Sequence, residues 1–221
     1  MLVDVGSPER PDPYELATRF GVRVLALAVP GLEGLADPDR DVVWLDPNLR
    51  RARGAFALLH EVGHLVLGVE ASEAECQRFA ASVLLPAWRF RLDVQELGLD
   101  LRELAKRWPW ASMEALARRC ADLEPGVAAA KWDSGWTWRT GPDGGERAFR
   151  EAAGLACSMR LGTMTYEVGG WTARAWRVSP YPQRAVVVGR ALPGDDLQRA
   201  GSALRVAPDP TTGATKSHGA F

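Results

Sequence analysis

The stretch His60-Glu61-Val62-Gly63-His64 constrains this chain more than any other, because it lies inside the apolar run 55–68. Apolar residues recur there at helical spacing. Residues four apart share one face of a helix, so His60 and His64 can turn two imidazole nitrogens toward one point. Glu61 then stands beside that point. Two imidazoles on one metal ion, with a carboxylate placed to take a proton from water, are the parts of metal-assisted hydrolysis, and the H-E-x-x-H order is that of zinc peptidases. The blander reading is a pair of buried or solvated histidines. Against it, the chain has 3 histidines in all and two of them are here, with a glutamate in the required place. Gly63 adds weight, since glycine inside a helix costs about 0.5–1 kcal/mol relative to alanine and suggests that a neighbour must come close.

The chain's 221 residues can bury a sizeable core and suffice for one large or two small domains; two are expected. A formal net charge of -1 offers no electrostatic case for a nucleic-acid or membrane surface. Cys76, Cys120 and Cys157 are odd in number, widely spaced and set among apolar residues, which predicts reduced core thiols rather than a disulfide frame. The chain does not open with a signal-like segment, and no apolar run approaches the roughly 18 residues of a membrane span. A cytoplasmic protein is the expectation.

Along the chain, residues 1–12 are a polar, proline-rich lead-in. Pro13–Phe20 has helical spacing with Tyr14, Leu16, Ala17 and Phe20 available to a core, and Gly21 stops it. Val22–Val29 and Asp41–Asp46 are predicted strands separated by a Gly/Asp/Pro stretch. The second of these stands just before the histidine helix, where an exposed strand edge could hold an extended peptide; an ordinary covering sheet is the alternative. The histidine helix is expected from Asn48 or Leu49 to Leu67, with Gly68 as its stop.

Two histidines leave a metal short of a protein ligand. A third histidine in the metzincin pattern is disfavoured, because Leu67 and Glu70 stand where glycine and histidine would be. The other solution is a glutamate from a following helix. Ser72–Leu85 supplies that helix, with Ser72 as N-cap and Pro86 barring its continuation. Glu75 lies on the side of Phe79 and Val83, which suits a ligand turned inward. The same position, three after Ser72, equally suits a capping-box carboxylate bonded to backbone, and the spacing leaves both open.

The stretch from Leu59 to Pro86, with H-E-V-G-H followed by E-A-E-C-Q-R-F-A-A-S-V-L-L-P, resembles the ImmA/IrrE family of bacterial metallopeptidases. There H-E-x-x-H precedes a glutamate-bearing helix of the type E-A-N-x-F-A-A-x-L-L-M-P. The likeness extends over roughly the first 125 residues. It departs from the family at Cys76-Gln77, where Ala-Asn is usual, and at Leu85, where methionine is usual. The resemblance implies a zinc site of His60, His64 and Glu75, with Glu73 and Glu70 as alternative third ligands, and Glu61 as general base. It also implies a zinc-dependent peptidase acting on a helix-turn-helix transcriptional repressor, relieving repression of stress or mobile-element genes. A non-catalytic regulatory or interaction module that keeps the peptidase fold is the alternative.

The expected fold class is α+β. A zincin-like N-terminal peptidase domain over 1–125 combines a small antiparallel sheet, the H-E-x-x-H helix and following helices. It includes a pair resembling a helix-turn-helix at about 99–124. Arg118 and Arg119 on that pair could meet phosphate, yet Glu103, Glu114, Asp122 and Glu124 surround them, so packing is favoured over direct DNA contact. Residues 126–206 predict a smaller β-rich domain with strands Thr163–Val168, Thr172–Val178 and Arg184–Val188 and a helix Gly145–Ala156. Residues 207–221 predict a disordered tail, which makes His218 a poor catalytic residue. For an oxyanion donor, nothing in the spacing chooses among Tyr166, Tyr181 and the arginines.

Overall fold

A computed structural model describes residues 12–28, 30–68, 70–133, 135–158, 163–168, 170–179, 184–192 and 204–205. The expected tail with His218, most of the lead-in, and Tyr181 lie outside the described residues. The chain divides into two compact units, Met1–Arg119 and Cys120–Phe221. The division falls six residues before the expected boundary after residue 125, inside a helix rather than at Glu124-Pro125-Gly126. The class is α+β, with a β-rich C-terminal unit.

The N-terminal unit opens with helix α1 (Pro13–Arg19), started by Asp12, whose carboxylate accepts from the Tyr14 and Glu15 N–H groups. Strands β1 (Arg23–Ala26), β2 (Gly34–Asp37) and β3 (Val42–Leu45) follow, forming a sheet of order β1-β3-β2. β2 runs antiparallel to β3, but β1 runs parallel to it, so the sheet is mixed where an antiparallel one was expected. β3 is therefore central, and the strand expected to offer a free edge has none. The edges belong to β1 and β2, and sequence reasoning passed over β2 because Gly34-Leu-Ala-Asp37 carries no β-branched residue and sits in a turn-rich stretch.

Helix α2 (Arg51–Leu67) packs on this sheet. Its Ala57, Leu58 and Val62 join Ala17, Val22, Val43 and Leu45 in one buried cluster. Arg53 Nε donates to Glu33 at 2.8 Å, and Asp46 N–H donates to the Glu33 carbonyl at 3.0 Å. These bonds tie the start of β2 to both α2 and the end of β3. Helix α3 (Glu73–Leu84) lies against α2, followed by α4 (Ala87–Leu97), α5 (Leu101–Arg107) and α6 (Met113–Leu123). On the last two, Leu101, Leu104, Leu116 and Ala117 are buried, as their spacing predicts, and Arg119 Nε donates to the Leu85 carbonyl at the end of α3.

The C-terminal unit continues with β4 (Val127–Asp133), β5 (Trp136–Thr140), α7 (Glu146–Ser158), β6 (Thr163–Val168), β7 (Trp171–Ser179), β8 (Arg184–Ala191) and β9 (Leu204–Arg205). The sheet has order β5-β4-β8-β7-β6-β9 with every neighbouring pair antiparallel. Helix α7 lies across β6, β7 and β8. Its Ala148, Ala152 and Ala156, four apart on one face, meet Ala128, Ala130, Ala173, Ala175 and Ala185 of the sheet. Tyr166 packs at the margin of this cluster. All three cysteines are free and buried, as expected, and burial pushes the Cys120 thiol up to about 12. Among the described residues, no helix is long and apolar enough to cross a membrane.

Candidate metal centre

Helix α2 places His60 and His64 one turn apart with ring centroids 5.0 Å from one another, nearly perpendicular. Their Nε2 atoms converge on one carboxylate. His60 Nε2 lies 3.0 Å from one oxygen of Glu73, and His64 Nε2 lies 3.4 Å from the other. The three ligand atoms all fall within 4.8 Å of one another, close enough to hold one ion. Among the described residues this is the group of His, Cys, Asp or Glu side chains with that capacity.

Glu75, the third ligand that the resemblance implied, is not brought to the histidines. Its carboxylate turns back to Ser72, accepting from the Ser72 N–H at 2.9 Å and from the Ser72 hydroxyl at 2.7 Å, which completes a capping box. These bonds hold its carboxyl below the ordinary carboxylate value, the hydroxyl contributing most. Glu70 lines a groove with Leu67, Ala71, Glu75, Arg78 and Phe79, outside the cluster. Glu73, the weaker alternative in sequence, takes the place expected of Glu75.

The reason lies in which face of α3 turns toward α2. The sequence reading took the large residues Phe79 and Val83 as the inward face. Phe79 does pack half-buried against the α2 core, but the fully buried residues beside it are the smaller Cys76 and Ala80. At Gly63 of α2, an added Cβ would lie 3.3 Å from the Cys76 Cα and Cβ and 3.2 Å from the Phe79 ring. The helices approach closely there, leaving no room for a side chain at Gly63. Glu73 precedes Cys76 by three, so it shares that face, while Glu75 is rotated off it. The signal was present in the sequence as Gly63 opposite a small residue, a pairing that large-residue periodicity overlooks.

Glu61 sits beside the cluster and under β2. Burial pushes its carboxyl above the ordinary glutamate value; nearby His60 and His64 and a hydrogen bond from the Ala36 backbone oppose that shift, and the Glu73 charge reinforces it. A Cβ on Gly34 would lie 2.8 Å from Glu61 Cγ, so β2 rests directly on this side chain. Sequence reasoning missed both Gly34 and Ala36, having found no strand there. On the far side of His64, Nδ1 lies 3.4 Å from the Cys76 sulfur. Burial, reinforced by Glu73, Glu61 and Glu75, pushes that thiol up, so it stays neutral. His60 Nδ1 is buried with no hydrogen-bond partner among the described residues.

Two imidazole nitrogens and a carboxylate, with a second, partly desolvated carboxylate alongside, are a set that could hold a metal ion with a base beside it. No curated protein matches the sequence. A solved structure titled Mycobacterium tuberculosis transcriptional regulator is similar in fold, with a TM-score of 0.60 at 16% identity over 81% of this chain and 69% of that one. Residues 17–121 match the peptidase family model described as the IrrE N-terminal-like domain, a span that takes in both histidines, Glu61 and Glu73. Over that span, which is just under half of the chain, the sequence is similar to the IrrE N-terminal-like peptidase domain.

Proposed function

We propose that the N-terminal unit is a zinc-dependent regulatory endopeptidase that cleaves a helix-turn-helix transcriptional repressor and so relieves repression. The observation that carries the catalytic part is the convergence of His60 Nε2, His64 Nε2 and Glu73 on one point, with Glu61 beside it. Those three side chains would hold the ion, and their nitrogen and oxygen donors suit zinc. When bound, zinc supplies Lewis-acid polarisation of the scissile carbonyl and acidifies the attacking water.

Glu61 is the general base. A carboxylate whose pKa is raised by burial is a stronger base than a solvated one. It takes the proton of the attacking water and returns it to the leaving amine. The Ala36 backbone hydrogen bond fixes the carboxylate, and the outer edge of β2 offers main-chain groups to an extended substrate beside it. Recognition by strand pairing needs an unfolded or extended segment, which favours a narrow target. The repressor as that target rests on the family resemblance.

Incubating the zinc-loaded full chain with the helix-turn-helix repressor encoded beside it is expected to give one discrete cleavage and loss of operator binding. Glu61→Gln should keep zinc and thermal stability while lowering the cleavage rate by at least about 100-fold. Digestion of unrelated unfolded proteins would overturn the narrow specificity. Release of the repressor by Glu61→Gln at the wild-type rate would favour a non-catalytic interaction module.

A further inference from the structure

We propose that Cys76 is a positioning residue for His64, holding its ring so that Nε2 faces the metal point. The inference rests on the metal reading above and goes beyond it to a residue that the reading does not use. A histidine that binds a metal through Nε2 must carry its proton on Nδ1, and the partner of that N–H fixes both the tautomer and the ring orientation. That partner is usually a carboxylate, a backbone carbonyl or water. Here it is a thiol, with Cys76 Sγ 3.4 Å from His64 Nδ1 while His64 Nε2 lies 3.4 Å from Glu73.

Three features make the contact more than proximity. Cys76 is fully buried, so water does not compete for Nδ1 on that side. Gly63 sets the distance, because its missing side chain lets the Cys76 backbone approach α2 to within Cβ contact. Glu73 and Cys76 are three apart on α3, so the same helical face presents the carboxylate to Nε2 and the thiol to Nδ1, gripping the ring at both ends. A neutral thiol is both donor and acceptor. It can donate to Nδ1 when Nε2–H is bonded to Glu73 and accept from Nδ1–H when Nε2 ligates, so it serves His64 with and without an ion. His60 has no such partner on its Nδ1 among the described residues, so the effect is confined to one of the two histidines.

The test compares wild type, Cys76→Ala and Cys76→Ser in the full chain. Zinc affinity is measured by competition with a chromophoric chelator, and the ligand field by the visible spectrum of the cobalt(II)-loaded protein. Cys76→Ala should raise the zinc Kd about tenfold, the lower end of what losing an outer partner of a metal-bound histidine costs, with metal-free thermal unfolding little changed. Cys76→Ser, which restores a donor and acceptor, should recover most of that loss. The cobalt spectrum of the wild type should show no sulfur-to-metal charge-transfer band. Such a band would make Cys76 a ligand and overturn the positioning role. Equal zinc affinity in wild type and Cys76→Ala, or a Cys76→Ser variant as weak as Cys76→Ala, would overturn it too, the latter by showing that volume alone matters. Failure of the wild type itself to bind zinc would overturn the metal reading with it, whereas failure of the variants alone leaves that reading standing.

Discussion

Both units lay a helix on a sheet, yet their tightest backbone approaches serve different neighbours. In the N-terminal unit, Gly34 of β2 rests on the Glu61 side chain and Gly63 of α2 rests on Cys76, both beside the paired histidines. In the C-terminal unit, a Cβ on Gly189 would lie 2.5 Å from Cε2 of the buried Phe149 ring. Gly34 and Gly63 bring backbone to ionisable groups of the site, Gly63 against the Phe79 ring as well, whereas Gly189 makes room for an aromatic core. Missing side chains therefore mark chemistry in the first unit and packing in the second, and burial alone does not tell them apart.

The largest effect that could break this contrast is at the first turn of α3. Glu73→Gln removes the carboxylate that meets both Nε2 atoms and should raise the zinc Kd by more than the roughly 100-fold upper cost of losing an outer partner. Glu75→Gln should leave it within about threefold, because glutamine also suits the third position of a capping box. Isothermal titration of both variants decides the matter. A larger loss for Glu75→Gln would return the ligand role to that residue and make the Glu73 contact incidental.

A middle-sized effect separates the glycines. Gly34→Ala would press on Glu61 Cγ, which is not the free end of the side chain, and should move the carboxylate. Misplacement by about 1 Å can cost about 100-fold in rate, so cleavage should fall with zinc affinity and unfolding little changed. Gly189→Ala should do the reverse. Overpacking a filled core costs about 1–3 kcal/mol, visible as a lower unfolding midpoint of the full chain by tryptophan fluorescence, with the zinc Kd unchanged. If Gly34→Ala destabilised the fold as much as Gly189→Ala and left cleavage intact, the contrast between the two units would fail.

Much of the first unit was legible because its signals are local. Helix α2, its Gly68 stop and the pairing of His60 with His64 follow from spacing within one helix, and Ser72 announces α3 by its capping chemistry. What spacing did not disclose depends on partners distant in sequence. Gly34-Leu-Ala-Asp37 becomes a strand by pairing with β3, and it is an edge because β1 takes the other side of β3. That Glu73 rather than Glu75, about 200° away around α3, meets the histidines depends on which face of that helix turns to α2, set by the contact of Gly63 with Cys76. In the second unit, β6, β7 and β8 were legible from their β-branched and aromatic residues. β4 was not, because Val127-Ala-Ala-Ala-Lys131 carries helix-favouring alanines that become strand residues by packing beneath α7.

The smallest predicted effect sharpens the division of labour within α3. Ser72→Ala removes the hydroxyl that accepts from the Glu75 N–H at 3.4 Å and donates to its carboxylate at 2.7 Å. Losing such a cap costs about 1 kcal/mol. The first turn should fray, and hydrogen exchange at the Glu75 and Cys76 amides, which bond to the Ser72 carbonyl at 2.9 and 3.1 Å, should quicken about fivefold. The effect should also depend on pH in one direction. The Glu75 carboxyl is held below its ordinary value of 4.5, chiefly by the Ser72 hydroxyl. A carboxylate with a depressed folded pKa stabilises the fold above its unfolded pKa, and that contribution fades as pH falls through the folded pKa. The difference between Ser72→Ala and wild type should therefore be full at neutral pH and narrow toward acid, where Glu75 is protonated in both. A difference that stays constant down to about pH 3, below the reference carboxylate values, would show that Glu75 takes no part in the cap, freeing it for the ligand role that the sequence first suggested.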